Sequence, residues 1–495
     1  MTFLSRRSGF DPRRLVAAAT LLLTACSVNP ATGERNFTAF MSPEDELRVG
    51  REQHPKILEQ FGGAYDDPNV AAYVDAIGQR LARASELPDL KFTFTVLDDD
   101  IINAFALPGG FVYVSRGLLG LANSEAELAG VLGHEIGHVT ARHSAQRYSS
   151  AVLAQGLSLG VGILGAVFAG TPDFGQAAAQ GSAVYLQSFS REHEFEADTL
   201  GVRYLARTGY STDAMASFLA SLQAYSSLEA KVSGLPDPAE RYNIMSTHPR
   251  TQDRVVAATR AANVQPVPDP RVGNREYLGE INGVIFGGSP KQGYVRERIF
   301  VHEVLDFLFE VPPGFRLFNG AQQVAARGPN NEAILFTGGG RGHNGSMQSY
   351  LTDVWAKGAQ LARVQRIDIN GMEAATGATR VRSRNGTVDL QLVAVRHDSG
   401  NIYRFIFATP PARTAAMNEE FRRTTFSFRT LTAADRARYG PWRIQTRVVG
   451  RNDTVATLSR DMPMAGPKDE WFRVLNGLQP GSEPFPGQTV KVVVE

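Results

Sequence analysis

The sequence predicts a multidomain chain. Its largest unit, residues 42–263, reads as mainly α with a small β-sheet. An α+β module over 285–435 and a small βααβ unit over 443–495 follow. Three observations predict this. The 495 residues amount to about three domains at roughly 150 residues each, and 43% hydrophobic with 20% charged residues is enough for several ordinary cores. Helical periodicity dominates up to residue 263, with alternation confined to 90–119. Beyond residue 285 alternating runs take over. The 51 basic and 50 acidic residues, net +1, give no electrostatic ground for a nucleic-acid partner. Cys26 is the only cysteine, which excludes an intramolecular disulfide and a cysteine-based metal site.

Residues 1–25 have the order of a secretory signal peptide: Arg6, Arg7, Arg13 and Arg14, an apolar run from Leu15 to Leu23, then small residues. The run is short for a membrane span of about 20 residues. Leu23-Thr24-Ala25-Cys26 resembles a bacterial lipobox, which implies lipidation of Cys26 in an exported lipoprotein. Ser27 in place of Asp implies the periplasmic face of the outer membrane, with a soluble periplasmic protein as the alternative. The polar stretch 26–41 reads as a tether. Ser42-Pro43-Glu44-Asp45 starts a helix, with a cap, a proline in the first turn and acids at the N-terminus. Residues 68–86 repeat the helical period. Residues 90–99 alternate as a strand, and Pro108-Gly109-Gly110 marks a hairpin within 102–119. A long helical pattern covers 124–146. The apolar, glycine-containing stretch 151–170 fits a buried helical hairpin better than a membrane span. Helices over 185–207 and 212–230 follow, and the proline-containing 264–284 reads as a linker. Within the α+β module, 388–397 and 401–409 read as strands and 415–428 starts as a helix.

His134-Glu135-Ile136-Gly137-His138 has the HExxH spacing of a zinc site. At about 100° per residue, four positions bring the second imidazole within roughly 40° of the first, so both reach one ion. Glu135 lies on the flank of that face, within reach of a water. Zinc needs a third protein ligand. Ser144 and Ala141 exclude the solution that uses a third histidine six residues on. His143 falls about 180° around a continuous helix from His134 and reads as a surface or supporting group. In residues 190–201, Glu194 and Asp198 share one helical face while Glu192 and Glu196 point nearly opposite. Glu194 with Asp198 fits a ligand and its supporting acid, with His193 as the rival ligand.

HEIGHVTARH followed by SREHEFEAD resembles the HtpX-like and BepA-like family of zinc metallopeptidases, gluzincins related to the CAAX prenyl proteases. The NAFALPGGFVYVSRGLL segment resembles the strand and turn before that family's active helix. The resemblance covers about 40–260 and implies a zincin-like metallopeptidase domain. It implies one Zn2+ per chain, held by His134, His138 and Glu194, with Glu135 as general base. Asp198 resembles the family's proton donor; orientation of a ligand histidine is its physical alternative. Ser246-Thr247-His248-Pro249 with Arg254 resembles a family stretch whose histidine approaches the zinc. That implies His248 and Arg254 as auxiliary residues, with a helix-capping turn as the alternative for His248. Integral-membrane relatives carry several spans that this sequence lacks, so it is more similar to the exported branch. The implied function is an exported zinc metalloendopeptidase that hydrolyses unfolded or misassembled envelope proteins in protein quality control. A substrate can pair with the strand near Asn103–Phe105. The alternative is a chaperone-like or cell-wall-binding protein with a silent or closed zinc site. The implied partners are polypeptide substrates, the membrane through the lipid anchor, and peptidoglycan.

Peptidoglycan enters through the tail. Asn476-Gly477-Leu478 and Pro486-Gly487-Gln488 resemble a LysM-like module, a unit that often binds N-acetylglucosamine polymers. The 285–435 module faintly resembles PsbP- and Mog1-like folds and offers no catalytic constellation. No paired-carboxylate arrangement for glycan hydrolysis is identifiable.

Overall fold

The computed structural model describes residues 26–159, 188–233, 248, 252–320, 323–383, 386–397 and 400–495. The signal-peptide expectation for 1–25 and the 160–170 part of the expected helical hairpin lie outside the described residues, as do Ser246, Thr247 and Pro249. Among the described residues no helix is long and apolar enough to cross a membrane.

The stretch expected as a tether holds a hairpin. Strands β1 (Cys26–Val28) and β2 (Arg35–Phe37) pair antiparallel, and Asn29, Ala31, Thr38 and Met41 around them are buried. Helix α1 (Pro43–Gln60) starts at the expected cap: Ser42 Oγ accepts from Asp45 N–H and the Asp45 carboxylate accepts from Ser42 N–H. Helix α2 (Pro68–Arg83) is capped by Asp67, whose Oδ1 accepts from Asn69 and Val70 N–H. Three strands follow, β3 (Thr93–Leu97), β4 (Ala104–Leu107) and β5 (Phe111–Ser115). They form a sheet in the order β3-β5-β4, in which β3 runs parallel to β5 and β4 is an edge strand among the described residues. The β4–β5 turn is the expected Pro-Gly-Gly. Gly109 has φ +80° and its missing Cβ would sit 2.7 Å from Leu47 Cα, so the turn presses directly on α1.

Helices α3 (Arg116–Leu121), α4 (Glu125–Thr140), α5 (His143–Leu159), α6 (Arg191–Arg207), α7 (Ala214–Ser233) and α8 (Gln252–Val264) complete this unit. The single helix expected over 124–146 is two. Arg142 breaks it with φ +59°, a left-handed conformation. Its guanidinium justifies the break, donating to Glu46 Oε2 at 3.0 Å, Met41 O at 2.9 Å and Ser27 Oγ at 2.9 Å. Helix α4 is the centre of the unit and is buried on nearly every side. Leu128, Leu132 and Ile136 share one core with Val74, Ile77 and Leu81 of α2, Val112 and Val114 of β5, and Leu200, Leu205 and Phe218. The expected linker 264–284 contributes to that core as well. It carries α9 (Asn274–Glu280), buries Tyr277, Leu278, Ile281 and Val284, and donates from Tyr277 Oη to Leu119 O at 2.6 Å.

Strand β6 (Ile285–Phe286) leads to a small antiparallel sheet of β7 (Tyr294–Arg296), β8 (Ile299–His302) and β9 (Phe307–Glu310). A seven-stranded antiparallel sheet follows. It is built from β10 (Arg316–Asn319), β11 (Gln323–Arg327), β12 (Ala333–Arg341), β13 (Ala362–Ile369), β14 (Met372–Ser383), β15 (Gly386–Arg396) and β16 (Asn401–Thr409). Its spatial order is β10-β11-β12-β16-β15-β14-β13. Helix α10 (Thr414–Ser427) covers it through Met417 and Phe421, and α11 (Ala433–Arg438) leads out.

The last unit runs β17 (Trp442–Val448), α12 (Val455–Ser459), α13 (Lys468–Leu475), β18 (Thr489–Val494), the βααβ order read from the sequence. β6 adds a third strand beside β17. This unit is bonded to the first one: buried Lys491 donates to the carbonyls of Gly120, Leu121 and Ala122 at 2.9, 3.1 and 2.7 Å, at the C-terminal end of α3.

Candidate metal centre

Small residues bring two helices together at the site. A Cβ on Gly133 would lie 3.3 Å from Gly201 Cα, one on Gly137 would lie 3.2 Å from Ala197 O, and one on Gly201 would lie 3.1 Å from His134 N. Backbones of α4 and α6 therefore approach closely. Each helix starts at a serine cap, Ser124 accepting from Glu127 N–H and Ser190 from His193 N–H. The α6 period then turns Glu194 and Asp198 inward, buried against His134 and His138 as the spacing predicts.

Four donors converge. One atom each from His134, His138, Glu194 and His248 lies within 4.8 Å of the others. His134 Nε2 is 3.0 Å from His138 Nε2, and His248 Nδ1 is 3.2 Å from His134 Nε2 and 3.0 Å from Glu194 Oε1. His138 Nε2 is 3.5 Å from Glu194 Oε1. Two nitrogens held at about 2.0–2.1 Å by one tetrahedral ion stand about 3.3 Å apart, so the spacing suits a cation. The donor chemistry agrees, because three imidazoles and a carboxylate crowd lone pairs toward one point. Two further observations fit. Both carboxylate oxygens of Glu135 and Nε2 of His248 are buried and have no hydrogen-bond partner among the described residues, a costly arrangement in a purely structural interior.

The electrostatics follow from burial. Desolvation holds His138 well below the ordinary histidine value and so keeps it neutral. Desolvation also pushes the Glu135 carboxyl up, against the attraction of His248 and His134. Burial raises Asp198 too, but the hydrogen bonds from Arg254 and His134 outweigh it and hold it below the ordinary carboxylate range. Arg254, from α8, donates to both Asp198 oxygens at 2.7 Å, and its Nη1 lies 2.6 Å from Glu194 Oε2. Asp198 Oδ1 in turn lies 2.9 Å from His134 Nδ1.

The structure thus brings together His134, Glu135, His138, Glu194, Asp198, His248 and Arg254. The rival ligand His193 is outside the cluster: its ring stacks on His143 and Nε2 lies 3.2 Å from Gln146 Oε1. Cys26 stands at the start of β1. Of the two places expected for His143, at the surface or as a supporting group, the structure excludes the first. The residue is fully buried, and its Nδ1 lies 2.8 Å from His138 Nδ1. The left-handed Arg142 reverses the direction that a continuous helix gives it, and no glycine marks that position.

Two spaces flank the site. A small one of about 20 Å³ beside Glu135 is walled by Val131, Met215, Phe218 and Leu222. A larger one of about 310 Å³ lies beyond His138, between Leu47, Leu87, Leu90 and Leu107, with Glu46 and Arg142 in its wall. The edge strand β4 borders the larger space through Ala106 and Leu107.

Comparison with known proteins places residues 68–262 against peptidase family M48. The chain is 34% identical over 263 residues to the beta-barrel assembly-enhancing protease of Yersinia pestis, which covers 52% of this chain and 51% of that relative. It is 28% identical over 236 residues to the mitochondrial metalloendopeptidase OMA1 of Schizosaccharomyces pombe, covering 46% and 63%. The chain therefore spans about half the length of the curated relatives it matches. A solved cyanobacterial PsbP from Synechocystis covers 26% of this chain and 87% of its own at 16% identity, with a TM-score of 0.21 that carries no argument.

Proposed function

From a chain whose residues 68–262 match the model of peptidase family M48, we propose an exported zinc-dependent metalloendopeptidase that cleaves unfolded or misassembled envelope proteins. One observation carries the reading: two imidazoles and Glu194 converge on a single point, with the Glu135 carboxylate buried beside it.

His134 and His138 through Nε2, and Glu194 through its carboxylate, would hold one Zn2+. When bound, zinc supplies Lewis-acid polarisation of the scissile carbonyl. Glu135 accepts a proton from the attacking water and delivers it to the leaving amine. Burial pushes its carboxyl upward, the direction that favours proton uptake by a general base. Asp198 acts as a positioning group rather than a proton donor, because Arg254 holds it ionised while it faces His134 Nδ1. His248 Nε2 lies 3.5 Å from Glu135 Oε1 and Nδ1 sits among the ligands, so His248 closes the site and withdraws when substrate enters. An extended substrate pairs with the β4 edge and fills the cleft beyond His138, which favours polypeptides without fixed structure.

The envelope setting extends the same proposal. Cys26 carries a lipid that places the protein on the periplasmic face of the outer membrane. The βααβ unit is LysM-like and binds peptidoglycan. The name of the Yersinia relative, an assembly-enhancing protease for β-barrels, supports a quality-control role.

Glu135→Gln tests the chemistry. The variant is expected to bind zinc as the wild type does and to lose on the order of 10²–10⁴-fold in hydrolysis of an unfolded polypeptide. Equal cleavage by the variant would overturn the assignment of the base. A wild type that holds zinc and cleaves no polypeptide would favour the chaperone-like alternative with a closed site.

A further inference from the structure

A string of buried polar groups leads away from His138 to the N-terminal hairpin, and nothing in the proposed chemistry uses it. His138 Nδ1 lies 2.8 Å from His143 Nδ1. His143 Nε2 lies 3.3 Å from Glu196 Oε2. Glu196 Oε1 accepts from Asn29 Nδ2 at 2.7 Å. His143 and Asn29 are buried and Glu196 is half-buried.

The direction of every bond in this string is fixed by the partners at its far end. Asn29 Oδ1 takes the N–H of Ala31 at 2.9 Å, so the amide nitrogen is the end that faces Glu196. The hairpin backbone holds Asn29 in that pose, Asn29 N–H donating to Glu34 O at 2.7 Å and Gly33 N–H to Asn29 O at 2.8 Å. An ionised Glu196 only accepts. His143 Nε2 must then carry the hydrogen given to Glu196, which leaves a lone pair on His143 Nδ1. That lone pair accepts the hydrogen of His138 Nδ1. His138 Nε2 is left bare, on the side of His134 and Glu194. A single set of tautomers satisfies all three contacts, and it is the set a metal ligand needs. The other imidazole is held differently, by Asp198 at 2.9 Å from His134 Nδ1.

We propose that His143, Glu196 and Asn29 are positioning residues of the metal centre, and that the hairpin β1–β2 is therefore part of its support. The proposal rests on His134, His138 and Glu194 being the ligands. Partners of this kind fix the ring orientation of a ligand histidine, and losing one typically costs 10–100-fold in metal affinity. The stretch that follows Cys26 is then no passive tether. Asn29, three residues after Cys26, is joined to a metal ligand through three contacts 167 and fewer residues apart in sequence.

The test uses the full-length chain, zinc as the probe, competition with a chromophoric chelator, and the electronic spectrum of the cobalt-substituted protein. His143→Ala is expected to weaken zinc by on the order of 10–100-fold. His143→Gln, whose amide can accept from His138 and donate to Glu196, is expected to recover most of that loss. Glu196→Gln and Asn29→Ala are milder and are expected to weaken zinc by roughly 3–10-fold and to shift the cobalt spectrum. Glu34→Gln, exposed on the same hairpin, should change neither. Wild-type affinity and an unshifted spectrum in both Glu196→Gln and Asn29→Ala would overturn the inference even if His143→Ala fails to fold. Those results with a zinc-binding wild type sink this inference alone. A wild type that binds no zinc sinks the metal reading together with it.

Discussion

Around His134 and His138 the interior is filled with charge: Glu135, Glu194, Asp198, Arg254 and His248 are all buried. In the seven-stranded sheet the interior is aromatic. Phe336, Phe405 and Phe407 pack with Phe307, Phe309 and Phe428 from the flanking elements, with ring centroids 4.7 Å apart for Phe336 and Phe405 and 5.2 Å for Phe309 and Phe405. Burying a charge without full compensation costs several kcal/mol, whereas an aromatic pair adds about 0.5–1.5 kcal/mol beyond its area. The helical region thus gives up stability to bring candidate ligands together, while the sheet region gains it from aromatic packing. The difference sets the candidate metal centre, on α4 and α6 with Arg254 of α8, apart from the aromatic interior of the sheet.

The largest effect that would break this comparison is at Glu194. Removing its carboxylate deletes a proposed ligand, so Glu194→Ala is expected to weaken zinc by more than the roughly 100-fold upper range seen for supporting residues. Chelator competition reads it directly. Full stoichiometry and affinity in the variant would mean that the buried charge is structural and that another residue is the third ligand. The converse substitution is Phe405→Ala in the sheet. A cavity of that size typically costs about 3–5 kcal/mol. Urea unfolding should record that loss while zinc affinity stays at the wild-type value. A fall in zinc affinity would show the two regions to be one energetic unit.

How much of this the sequence could disclose depended on the range of each interaction. His134, Glu135 and His138 are legible because a helix fixes their relation within four positions. Glu194 and Asp198 are legible for the same reason, once α6 is recognised as a helix. The cap at Ser42 and the Pro108-Gly109-Gly110 turn are equally local. What failed was conformation set from a distance. Arg142 takes its left-handed φ to reach Glu46, Met41 and Ser27, about 100 residues away, and nothing beside it announces the break. Residues 264–284 look like a linker because of Pro266, Pro268 and Pro270, yet Tyr277 is buried by helices far upstream. Asn29 meets Glu196 across 167 residues. In the α+β module two central strands were readable from alternation, but the order of seven was not, because pairing partners leave no mark on either strand.

The smallest predicted effect concerns the one buried histidine of the α+β module that resembles the metal-site histidines in burial but not in company. His302 ends β8, lies between Phe300 and Phe307, and accepts the N–H of Leu305 on Nδ1 at 3.2 Å. That bond requires an unprotonated Nδ1, and burial lowers the ring from 6.5 to about 4. The unfolded chain therefore takes up a proton near pH 6.5 that the folded chain refuses until about pH 4. The unfolded state binds more protons across that window, so the stability from His302 is present above pH 6.5 and is lost as pH falls toward 4. The loss is on the order of 3 kcal/mol. Zinc leaves in the same window because its histidine ligands must be unprotonated, so the measurement belongs on the zinc-free protein. His302→Asn keeps an acceptor for Leu305 and cannot titrate. Thermal unfolding of wild type and variant should run together above pH 6.5 and separate as pH falls toward 4, with the wild type losing stability that the variant keeps. Parallel curves throughout would place the acid sensitivity of the chain in the charged helical region instead.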